Sequence, residues 1–102
     1  MGNDDQRRYA YDVSLRIINA SPQTEKNLRE KLRKKEFTDS VISEVVKDLK
    51  EQGYIDDYKN GLSYVLSLTG RKYYGKNYAR KKLAERGIDR DTTDEILSYL
   101  ET

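Results

Sequence analysis

The side chains of this chain that could do chemistry are cations and aromatic rings. Residues 71–82 hold Arg71, Lys72, Lys76, Arg80, Lys81 and Lys82 with no acid among them, and Tyr73, Tyr74 and Tyr78 are interleaved. Cations alternating with stackable rings are what a groove for single-stranded nucleic acid needs, and equally what an acidic protein groove accepts. The plainer alternative is a solvated helix face whose tyrosines pack half-buried. Asp56 and Asp57 are adjacent carboxylates, a pairing that can hold a metal or do acid/base work; just before a helix, their ordinary use is capping. Gly70-Arg71-Lys72-Tyr73-Tyr74-Gly75 has glycines and bases but lacks the Gly-Lys-Ser/Thr ending of a phosphate loop. Histidine and cysteine are absent, which excludes an imidazole base, a thiolate nucleophile, a disulfide framework and the Ser-His-Asp arrangement. No catalytic residue, metal site or cofactor is expected.

The elements that position these residues read as helices. Helix 1 is expected over about 7–20, with Tyr9, Val13 and Ile17 on one stripe and Tyr11, Leu15 and Ile18 on a second. A helix apolar on two sides is usually sandwiched, and Ala10 suits a close backbone approach. Ser21-Pro22 ends it, with Pro22 fitting the first turn of the next helix and Ser21 or Thr24 as its cap. Helix 2 spans about 23–35, with Leu28 and Leu32 inward and Glu25 in reach of Arg29. Helix 3 starts at Thr38 or Asp39 and runs to about 52. Its Val41, Ile42, Val45, Val46 and Leu49 form the clearest buried arc, whose 3-4 spacing outweighs the helix cost of β-branching.

Gly53-Tyr54-Ile55-Asp56-Asp57 is the structural joint. Gly53 suits the left-handed position that stops a helix, Tyr54 and Ile55 are apolar latches, and Asp56 or Asp57 starts helix 4. That helix is expected over about 57–69, with Leu62, Tyr64, Val65, Leu66 and Leu68. Helix 5 covers about 75–86 with Ala79 and Leu83 inward. On its wheel Asn77 and Lys81 lie opposite the core, Lys76 and Arg80 on one flank, and Tyr78 and Lys82 on the other. Gly87 stops it, Asp89 or Asp91 starts helix 6, and Ile96, Leu97 and Leu100 point inward.

Six helices fall into two copies of three. One gapless offset of 51 residues maps Leu15 to Leu66, Leu32 to Leu83, Phe37 to Ile88, Val45 to Ile96, Leu49 to Leu100, and Ala10 to Gly61. A constant register across three helices is more than helical periodicity demands. The division expected is residues 1–6 as a disordered N-terminus, 7–53 as a first repeat and 54–102 as a second. The first copy's middle helix has Glu25 and Glu30 to offset its bases; residues 71–82 have nothing comparable, so their cations are expected to be uncompensated.

Composition sets outer bounds. The chain's 102 residues fit one compact domain. Charged residues at 37% slightly exceed apolar ones at 35%, giving a thin core, although the periodicity argues against disorder. The net charge of +2 is too small for global attraction to nucleic acid, so any such role must come from local clustering. No apolar run approaches a membrane span, and the polar, acidic N-terminus is unlike a secretory signal. A cytoplasmic monomer without membrane contact is expected.

The residues as a set resemble the RecX family of RecA regulators from about Tyr9 to Leu100. The most specific match is Leu49-Lys50-Glu51-Gln52-Gly53-Tyr54-Ile55-Asp56-Asp57, which looks like the family's Gly-Tyr-Leu-Asp-Asp joint. Thr24-Glu25-Lys26-Asn27-Leu28 follows, then Gly75 with Ala79, Leu83 and Gly87-Ile88. The resemblance implies an all-α fold of two tandem three-helix, helix-turn-helix-like repeats in a right-handed superhelical array. It also implies a regulator that binds RecA–single-stranded DNA filaments and restrains their ATPase, strand-exchange and coprotease activities. Departures are Ser21 and Gln23 where the family has arginines, Glu36 for a glycine, Asn60-Gly61 for an aromatic-alanine pair, Ala79 for a larger aliphatic, and two repeats where members commonly carry a third. The rival readings are a direct DNA binder of helix-turn-helix type and a plain helical scaffold.

Overall fold

The computed structural model describes residues 3–69 and 75–101. Six helices follow in order: α1 (Asn3–Ala20), α2 (Glu25–Lys34), α3 (Asp39–Glu51), α4 (Asp57–Thr69), α5 (Lys76–Glu85) and α6 (Arg90–Glu101). No strand occurs among the described residues. The chain divides into two compact units, one through Asp56 and one from Asp57.

In the first unit α1, α2 and α3 pack on one another. Thr24 and Thr38 are the N-caps of α2 and α3, each hydroxyl accepting a backbone N–H three residues on, from Asn27 and Val41, both at 3.2 Å. These bonds satisfy donors that the first helical turn leaves without partners. Pro22 lies ahead of the α2 cap rather than in its first turn, and Gln23 is buried, its amide donating to Ser21. The core joins Ala10 and Val13 of α1, Leu28 and Leu32 of α2, and the full α3 arc from Val41 to Leu49. Tyr9, which shares an apolar stripe with Val13 and Ile17, is largely exposed and meets the Phe37 ring edge-on at 5.6 Å.

Two expectations change here. Residues 3–6 are helical, so α1 begins ahead of residue 7; Asp4 and Asp5 in its first turn favour that start by interacting with the helix dipole. The joint belongs to the first unit rather than being split after Gly53. Gly53 at φ 82° donates to Lys50 O at 3.1 Å, and Tyr54 N–H donates to Leu49 O at 2.9 Å. That is the two-bond stop motif in which only a left-handed residue closes the turn. Ile55 follows, buried in the first core, while Tyr54 stays half-exposed.

The second unit repeats this plan with α4, α5 and α6 packed on one another. Its core is Val65, Ala79, Leu83, Ile88, Ile96 and Leu97, with Tyr58, Leu62 and Leu100 partly buried against it. The offset of 51 extends from side chains to backbone geometry. Phe37 N–H donates to Leu32 O and Ile88 N–H to Leu83 O; Glu36 and Gly87, just before them, both have positive φ, 71° and 88°. Thr38 caps α3, and Asp89 Oδ1 accepts from Thr92 N–H at 2.7 Å to cap α6. Thr24 caps α2 through its side chain, whereas Gly75, at φ 105°, stands before α5 with no side chain to do so.

Candidate interaction face on α5

Lys76, Tyr78, Arg80, Lys81 and Lys82 all lie on α5 around the buried Ala79 and Leu83, with Lys81 opposite them and the others on the two flanks. Arg71, Lys72, Tyr73 and Tyr74 lie outside the described residues. The expectation of uncompensated cations does not hold for α5. Arg80 Nη1 bonds Asp94 Oδ1 of α6 at 2.8 Å, Lys76 pairs with Glu101 at the end of α6, and Lys82 lies 3.5 Å from Glu85. Lys82 Nζ also sits 5.7 Å from the centre of the Tyr78 ring. Lys81 projects to solvent without an ion-pair partner among the described residues. Charge per helix is likewise no distinction: α2 carries five bases against two acids and α5 four against one, +3 in each.

Glu85 is local to α5, but the acids on Lys76 and Arg80 come from α6, 25 and 14 positions along the chain, so a window on α5 cannot reveal them. The internal repeat could have. Arg29 and Ser43 of the first unit correspond to Arg80 and Asp94, and both pairs are bonded, at 3.3 Å and 2.8 Å. Glu25 and Lys50 correspond to Lys76 and Glu101, so one cross-helix bridge occurs in both units with its charges exchanged. All these pairs are at least partly exposed, a setting in which an ion pair is worth about 0–1 kcal/mol. They set the orientation of the cationic tips more than they stabilise the unit.

The ionisation of Glu25 is clearly shifted. Burial by itself raises its pKa, but hydrogen bonds from Lys50 at 2.9 Å and Arg29 at 2.9 Å outweigh that and hold the carboxyl below its ordinary value. Arg86, just past α5, was missed in the sequence: its guanidinium lies 4.3 Å from the Tyr64 ring centre and donates to Asn60 Oδ1 at 2.7 Å. Nothing local to Arg86 announces a contact 26 residues away. Among the described residues no cluster of acids could hold a metal ion, and no helix is long and apolar enough to cross a membrane.

Comparison with known proteins gives a consistent family. Residues 10–49 match the model for the first three-helix domain of RecX. Regulatory protein RecX of Chlorobium phaeobacteroides is 30% identical over 98 residues, covering 96% of this chain and 64% of its own length. That of Streptococcus pneumoniae serotype 19F is 33% identical over 95 residues, covering 91% and 36%. The crystal structure of RecX from Lactobacillus salivarius superimposes with a TM-score of 0.86 at 25% identity, over 97% of this chain and 64% of that one. A second crystal structure of regulatory protein RecX gives 0.84 at 26% identity, over 96% and 48%. The chain thus spans between about a third and just under two thirds of these relatives' length. The shared name is that of a regulatory protein, not of an enzyme.

Proposed function

Because this chain belongs to the RecX family, we propose that it is a non-enzymatic cytoplasmic regulator, active as a monomer, that docks on the filament a RecA-type recombinase forms on single-stranded DNA. Docking slows ATP hydrolysis and, with it, strand exchange and coprotease activity. The observation that carries this reading is likeness in both sequence and fold over nearly the whole chain. The contact surface we assign to it is Lys76, Tyr78, Arg80, Lys81 and Lys82 of α5, continued by Arg71, Lys72, Tyr73 and Tyr74.

A protein groove is favoured over free DNA as the first contact. Carboxylates already paired with Lys76, Arg80 and Lys82 weaken the pull of this face on a polyanion, whereas a protein surface can meet cations and acids together. The test adds the purified chain to recombinase, ATP and single-stranded DNA. Hydrolysis should slow, and replacing Arg80, Lys81 and Lys82 by glutamine should remove most of the effect. Unchanged hydrolysis at a large excess of protein would overturn the proposal. Titrating labelled oligonucleotides without recombinase separates the direct DNA binder, which would show a steep loss of affinity with salt.

A further inference from the structure

The second unit carries an open groove of about 420 Å³ lined by Arg80, Ala84, Ile88, Arg90 and Thr93. At the corresponding place in the first unit, Arg33 stands for Ala84 and Asp39 for Arg90, and those two bond each other at 3.3 Å. There an ion pair bridges the gap between the middle and third helices. In the second unit one partner is cut back to a methyl group and the other has changed sign. Arg90 has no ion-pair partner among the described residues, and it occupies the first turn of α6, where the helix dipole disfavours a cation.

We propose that this groove receives an acidic segment of a protein partner in which an apolar side chain is flanked by carboxylates. Ala84, with the small parts of Ile88 and Thr93 that reach the surface, forms a limited apolar floor that gains by covering such a side chain. Arg90 presents its whole guanidinium fork to a carboxylate, and Arg80 uses one nitrogen on Asp94 and keeps further N–H donors. No aromatic ring lines the groove to stack a base, and a phosphate backbone has no use for an apolar floor. The inference rests on the reading above only in taking the partner to be a protein; its test needs no recombinase.

The full chain is titrated by fluorescence anisotropy with a labelled peptide carrying leucine between aspartates and glutamates, with the same peptide carrying serine for leucine, and with labelled oligothymidine. The leucine peptide should bind about tenfold more tightly than the serine peptide. The double variant Ala84→Arg/Arg90→Asp, which reinstates the first unit's ion pair, should lose both the binding and the preference; Arg90→Gln alone should weaken the leucine peptide several-fold. Equal binding of the two peptides, an unaltered double variant, or binding of oligothymidine alone would overturn the assignment. Should wild type leave recombinase hydrolysis unchanged while the peptide results hold, the filament reading falls and the groove stands; the reverse result removes only the groove.

Discussion

Glu36 holds a backbone φ of 71° at the position where Gly53 and Gly87 close the equivalent helix stops. An L-residue with a Cβ pays about 1–2 kcal/mol for that conformation, part of which glycine would return as greater freedom of the unfolded chain. Glu36→Gly should therefore stabilise the first unit by about 0.5–1 kcal/mol, read as a higher urea midpoint at unchanged m. Glu25 makes a prediction of opposite sign. Its carboxyl titrates below the ordinary value when folded, so its stabilisation is fully present above that ordinary value and vanishes as pH falls through the lowered one. Glu25→Gln should cost about 0.5–1 kcal/mol near neutrality, because both partners are partly exposed. The variant should also flatten the acid limb of stability against pH, and an unchanged limb would reassign it to other carboxylates.

Between elements, Gly61 is where α4 meets the other two helices of its unit. A Cβ there would lie 2.7 Å from Ile96 Cδ1 and 3.1 Å from Leu83 Cδ2. Both side chains are fully buried, so their tips can give way only by repacking the core around them. Overpacking of this kind costs about 1–3 kcal/mol, against about 1 kcal/mol gained by alanine over glycine in a helix. Gly61→Ala should thus destabilise the second unit by about 1 kcal/mol in chemical denaturation. A stabilised variant would mean that the α4 contact can widen. The small residue at this place was legible as a pairing with Ala10. What it is pressed against was not, since Leu83 and Ile96 arrive from helices 22 and 35 positions away.

For the molecule as a whole, the weight falls on which cations are already occupied. Arg80 and Lys82 sit in exposed pairs and Lys81 in none, so replacing all three by glutamine should move the thermal midpoint by only a few degrees while removing the effect on recombinase hydrolysis. A collapse in stability instead would make these residues structural. The helices, their stops and the repeat were readable in the amino-acid sequence because each follows from local chemistry: apolar spacing along α3, threonine caps, a left-handed residue after the last turn. The 51-residue register needed only counting. Which acids reach the α5 cations, that the joint belongs with the first core, and that a groove opens beside Arg90 were decided by packing. Those contacts join residues far apart in sequence, and a partner's identity is fixed by distance in space, which periodicity along one helix does not encode.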